Sequence, residues 1–265
     1  MTTAALSPAL PTGGYGFAHA LRMEWIKLRS LRSTWWALLV VVAGMVAIGV
    51  VTMANTKVPS ADKTAGFDPT NNVLAGVALG QLVVGVIGVL LVTGEYASGS
   101  MRSTLAAVPR RPLVLAAKAT VFGGVTLVLS EAVAFVTFLA GRTALDPAIP
   151  QPSLTDGGVL RAVLMSGAYL GLVAVMAVGI GALTRHTASG IGALVGLLFV
   201  VPAMLAGTTG TTVAKFFPTM IAGNSLAVSR PMPDMLTPWT GFALLLVYTA
   251  VVYAGGLRVL VRRDA

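Results

Sequence analysis

Apolar residues in this chain gather into long runs, separated by short stretches where Gly, Pro and charged residues concentrate. A helix needs about 20 apolar residues to cross the roughly 30 Å hydrocarbon layer of a bilayer. Six runs are long enough: Trp35 to Ala54, Val73 to Thr93, Leu113 to Gly141, Val159 to Leu183, Ala188 to Ala206, and Trp239 to Leu257. The pattern predicts an all-α polytopic membrane protein of six spans, with both termini on one side. Ahead of the first run, Leu21, Trp25, Leu28 and Leu31 fall on one side of a helix at 100° per residue, although Arg32 blurs that side. This predicts an interfacial amphipathic helix, with Trp25 at headgroup level and Lys27 and Arg29 on lipid phosphate. The chain then divides into a tail with the interfacial helix (1–34), a membrane domain (35–257) and a basic tail (258–265).

Composition agrees. Hydrophobic residues make up 56% of the chain and charged residues 10%, where a soluble domain carries about 25% charged. Too few charges remain to clothe a water-soluble globule. The absence of cysteine excludes disulfides, thiolate metal sites and cysteine nucleophiles, and two distant histidines, His19 and His186, suggest no metal centre. The first 20 residues lack the layout of a signal peptide and are read as a cytoplasmic tail.

The net charge of +9 raises the question of a nucleic-acid partner, and its distribution answers it. With the N-terminus inside, the inner segments hold Arg22, Lys27, Arg29, Arg32, Arg102, Arg110, Arg111, Lys118, Arg185, Arg258, Arg262 and Arg263. The outer ones hold Lys57, Lys63, Arg142, Arg161, Lys215 and Arg230, partly balanced by Asp62, Asp68, Asp146, Asp156 and Asp234. That is the positive-inside bias, and no nucleic acid is needed to explain the charge. Three small-xxx-small pairs, Gly76/Gly80, Gly167/Gly171 and Gly192/Gly196, predict close helix packing.

The inner loop from Gly94 to Lys118 is punctuated more than a simple connection requires. Gly94 and Gly99 permit sharp turns, Ser98 or Ser100 can cap a short helix, and Pro109 ends it by Val108. Pro112 suits the first turn of the next span. A two-turn helix at the inner membrane surface is predicted.

The string G-E-Y-x-x-G-S-x-R-S-T-L-x-x-x-P-R-R, followed by Lys118 and preceded by E-W-x-K-L-R-S-L-R-S-T-W-W, closely resembles the permease subunits of ABC-2 type transporters. The resemblance implies that the short helix is a coupling helix docking on a separate ATPase and that the amphipathic helix is the connecting helix. It implies a bacterial plasma-membrane exporter in which two permease copies, or two sister subunits, work with two ATPases to move drugs, lipids or peptides. ATP and Mg would sit on the ATPase, and this chain would bind no cofactor and catalyse nothing. Mapped onto this sequence, Glu95, Arg102, Thr104 and Leu105 are the candidates for coupling, and Arg111 and Lys118 would hold the loop against the membrane.

Glu131 is the one acid well inside a predicted span, roughly 20 Å along its helix from Lys118 and so in the outer half of the bilayer. Intramembrane carboxylates are costly, which makes it a candidate for the substrate path or for pairing with Arg142 or Arg161. The segment from Gly207 to Pro238 is too Pro-broken to span and resembles the outer re-entrant helices of the same permeases. No G-x-x-x-x-G-K-[ST], H-E-x-x-H or G-x-S-x-G motif occurs. Any energy for transport comes from a partner or an ion gradient. Two alternatives stay open on residues alone: a secondary transporter using Glu131, and a non-transporting immunity or regulatory membrane protein.

Overall fold

The computed structural model describes residues 16–56, 68–147, 149–229, 232 and 234–262. Lys57, Asp62, Lys63, Arg230 and Arg263 of the charge count, and the outer parts of both predicted tails (1–15 and 263–265), lie outside the described residues. Among the described residues every regular element is helical. The chain runs α1 (Phe17–Ser30), α2 (Arg32–Ala54), α3 (Pro69–Val73), α4 (Val77–Ala97), α5 (Ser100–Ala107), α6 (Arg111–Ala144) and α7 (Val159–Thr184). It continues through α8 (Thr187–Val195), α9 (Val201–Thr209), α10 (Thr211–Ala214), α11 (Pro218–Leu226) and α12 (Pro238–Arg262).

Six stretches are long and apolar enough to cross a membrane, and they fall on the six predicted runs: Arg32–Ala54, Pro69–Ala97, Arg111–Ala144, Val159–Thr184, Thr187–Thr209 and Pro238–Arg262. The fourth, α7, is the core of the bundle. It packs against α4, α6 and α12, and Tyr169, Leu170, Val173, Ala174, Met176 and Ala177 along it are shut from solvent. The outer helices instead leave Trp36, Leu39, Val51, Met204, Val247 and Val251 exposed, a surface that suits acyl chains rather than water.

Small residues allow the tight packing. A Cβ on Gly76 would lie 2.7 Å from the backbone of Met45, so α2 and the turn before α4 meet almost backbone to backbone. Gly167 and Gly171 on α7 receive Glu131 and Leu127 of α6 in the same way. The third predicted pair behaves differently. Gly192 and Gly196 have open space where a Cβ would stand, with no atom of the described residues within 4 Å of it.

The fifth span is interrupted, which periodicity did not anticipate. Between α8 and α9 lies a π-helical turn, Gly196–Val200, and two residues later comes Pro202. Proline has no N–H to give the carbonyl four residues earlier, which here is Leu198. Inside a bilayer that acceptor needs another donor. It finds one in Thr219 of α11, whose hydroxyl donates to the Leu198 carbonyl. Nearby, the Tyr169 hydroxyl donates to Gln81 Oε1, joining α7 to α4 through a buried polar pair.

Between Thr209 and Pro238 no helix among the described residues is long enough to span, in keeping with the prolines there. The short helix α11 folds back against α7 and α12. Arg161 Nη1 donates to the Ser225 carbonyl (2.7 Å) and Arg161 Nη2 to that of Ala227 (3.1 Å). Asp68 caps α3 through Asn71 N–H and accepts from the N–H groups of Val228 (2.6 Å) and Ser229 (2.9 Å).

Candidate functional site in the ion cluster behind the 94–110 loop

The loop after α4 is built largely as its punctuation predicts. Gly99 takes a left-handed φ of 72°, turning the chain sharply into α5, a conformation that favours glycine. The serines do not cap α5. Ser98 Oγ donates back to the Gly94 carbonyl at the end of α4 (2.9 Å), and α5 has no side-chain cap. The helix stops at Ala107, Val108 leads into Pro109, and Pro112 sits in the first turn of α6. Met101 and Thr104 are buried on the inward side of α5, Leu105 is half-buried, and Arg102, Ser103, Ala106 and Ala107 face out.

Behind α5 lies a closed ring of four charges. Lys118 Nζ reaches Glu24 Oε2 (2.6 Å) and Glu95 Oε1 (2.8 Å). Lys27 Nζ reaches Glu24 Oε1 (3.1 Å) and the same Glu95 Oε1 (3.0 Å), and it donates to Thr104 Oγ1 at 3.0 Å. Two lysines and two glutamates cancel. Apart from the Lys27–Glu24 pair within α1, the pairs join different parts of the chain: α1 supplies Glu24 and Lys27, α4 supplies Glu95, α6 supplies Lys118 and α5 supplies Thr104. Lys118 and Glu24 are each about 4% exposed, so neither charge is solvated and each depends on the other. Such burial is tolerable only when every charge is paired and hydrogen-bonded.

The ring relocates several residues singled out in the sequence. Glu95 and Thr104 point inward and meet Lys27 and Lys118. Only Arg102 of the four coupling candidates lies on the outer face of α5. Of the five interface candidates, Trp25 and Arg29 are exposed, whereas Lys27 and Lys118 are committed to carboxylates inside the protein. Arg111 Nη1 donates to the carbonyls of Leu260 (3.1 Å) and Val261 (3.4 Å) at the end of α12. The buried side of α1 is Ala20, Glu24 and Leu28 rather than Leu21, Trp25, Leu28 and Leu31, because Glu24 has to reach Lys118. Glu24 was not singled out in the sequence. Its signals were the Lys27 three residues on and its standing as the one acid in a basic stretch.

The residues of the ring lie within a segment, 20–195, that matches the family model described as ABC-2 family transporter protein. The chain belongs to the ABC-2 transporter family. It is a membrane permease of an ABC-type transport system, and membership implies partnership with an ABC ATPase. No curated protein matches the sequence.

Two further features of this ABC-2 permease bear on the site. Arg185 takes a φ of 59° at the end of α7, donates from Nη2 to the Val259 carbonyl at 3.0 Å and lies 5.1 Å over the Tyr96 ring. With Arg111 it neutralises the C-terminal carbonyls of α12, where a cation suits the helix dipole. Glu131 stands at the α6–α7 seam, pressed on Gly167. Its Oε2 is buried and has no hydrogen-bond partner, and among the described residues no cation pairs with it. Arg161, one of its expected partners, serves α11 instead.

Proposed function

We propose that this chain is the non-catalytic, membrane-spanning half of an ATP-driven exporter and that α5 is the helix on which a separate ATPase docks. The observation that carries this reading is the hydrogen bond from Lys27 to Thr104 together with the ring around Lys118. These bonds tie α5 to α1, α4 and α6, so a push on α5 is felt at the ends of two spans and the helix before them. Arg102, Ser103, Ala106 and Ala107 form the docking face, while Glu95, Thr104 and Leu105 carry the displacement inward. Trp25 and Arg29 rest α1 on the membrane surface. Charged hydrogen bonds are stronger than neutral ones, so the ring moves as a unit instead of absorbing the motion.

In this reading both termini and α5 face the cytoplasm of a bacterium, and ATP and Mg act on the partner. Two permease copies assemble, and the substrate is an amphiphile such as a drug, a lipid or a peptide. Glu131, the one carboxylate within a described span that lacks an ion-pair partner, is the substrate-path residue proposed for a cationic group. The cysteine-free sequence makes the test direct. Ser103→Cys is expected to react with a membrane-impermeant maleimide only in inside-out vesicles, and to cross-link to an ATPase subunit in native membranes. Labelling from outside intact cells contradicts the reading.

A further inference from the structure

Between α1, α2, α4 and α6 lies a cleft of about 660 Å³, and the ion ring forms one of its walls. We propose that this cleft binds a membrane lipid with a primary-ammonium headgroup. Its remaining walls are largely apolar, with Leu31, Ala37, Ile87, Leu91 and Phe122 along them. Leu31, Trp35 and Leu90 around it are 41–43% exposed, on elements that meet the bilayer. A site that joins an apolar slot to a charged end, at the level where α1 turns into the first span, has the layout of an acyl chain below a headgroup. Its volume falls within the range of small-molecule pockets.

The bonding capacity left in the ring selects the headgroup. An ammonium has three donors, and Lys27 has spent all three on Glu24, Glu95 and Thr104. Lys118 is 3% exposed and holds two carboxylates. An anionic headgroup therefore finds no open lysine. What the ring lacks is a donor: Glu95 borders the cleft, and its Oε2 is buried with no hydrogen-bond partner. The terminal torsion of a glutamate is soft, so a small turn of the carboxylate presents this oxygen to the cleft. A primary ammonium supplies the missing N–H. A trimethylammonium carries similar charge but has no N–H to give.

This inference shares Glu95 with the coupling reading but does not depend on it, because lipid binding is measured on the permease without an ATPase. The purified full chain is placed in nanodiscs of phosphatidylethanolamine, phosphatidylcholine or phosphatidylglycerol with identical acyl chains, and lipid retained on release is counted by native mass spectrometry. Ethanolamine lipid is expected to be retained about ten-fold over choline lipid, the scale of one charge-assisted hydrogen bond. Ala37→Trp, which fills the slot and leaves the ring intact, is expected to abolish the preference. Equal retention of ethanolamine and choline lipids overturns the proposal, as does preference for the glycerol lipid or a preference that survives Ala37→Trp. The comparison of headgroups on the unaltered chain decides the matter even if the variant does not fold.

Discussion

Lys118 Nζ lies 2.6 Å from Glu24 Oε2, joining the third span to the helix before the first across 94 positions of sequence. Both side chains are about 4% exposed, so removing one leaves the other charged and buried. Breaking a buried pair from one side costs about 3–5 kcal/mol, while replacing both partners by neutral groups costs far less. Lys118→Met is therefore expected to lower the thermal unfolding midpoint in detergent strongly. The double variant Lys118→Met/Glu24→Gln is expected to recover a large part of the loss. Additive losses in the double variant would show that the pair is not coupled.

The bond between Thr219 and Leu198 predicts a second cycle. Thr219→Val leaves the Leu198 carbonyl without a donor inside the membrane, a loss of about 1 kcal/mol by analogy with interhelical hydrogen bonds in bilayers. Pro202→Ala restores an N–H aimed at that carbonyl. In the Pro202→Ala background Thr219→Val is expected to be close to neutral. The same loss in both backgrounds would remove proline as the cause of the π-helical turn's dependence on α11.

Two glycines on neighbouring spans should respond with opposite signs. A Cβ on Gly167 would stand 2.8 Å from the Glu131 Cα. That atom is backbone and cannot yield without moving α6, so Gly167→Ala is expected to destabilise by about 1–3 kcal/mol. Gly192 has nothing within 4 Å of such a Cβ, and Gly192→Ala gains up to about 1 kcal/mol of helix propensity. Unfolding midpoints of the two variants, measured side by side, check the contrast.

The spans were legible because the bilayer imposes one length on every crossing helix, and the runs ending near Ala54 and Leu183 meet the observed helix ends closely, while the second continues one turn past Thr93 to Ala97. The loop was legible because Gly99, Pro109 and Pro112 each force a backbone outcome locally. The ion ring was not. Lys27, Glu95 and Lys118 each satisfy a one-dimensional account, topogenic charge or docking charge, and only the packing of α1 against α6 closes them into a circuit with Glu24. The break in the fifth span was hidden for a related reason: Pro202 marks a freed carbonyl, but its replacement donor, Thr219, comes from another element. Glu131 stood out in the sequence because its neighbours along the helix are apolar, and the fold sets it against Gly167. Of the two readings left open, substrate path or an arginine partner, the second loses Arg161, which is taken up by α11.

The central claim is that the face of α5 bearing Arg102 receives the ATPase. The most direct measurement is quantitative mass spectrometry of proteins that co-purify with the tagged permease from its native membrane in mild detergent, for the unaltered chain and for Arg102→Glu. The account predicts a near-stoichiometric partner with a nucleotide-binding loop. Arg102→Glu should deplete that partner, and the unfolding midpoint of each permease, measured beside it, separates loss of docking from loss of fold. Recovery of the permease without such a partner, or of the partner in equal amount with Arg102→Glu, contradicts it.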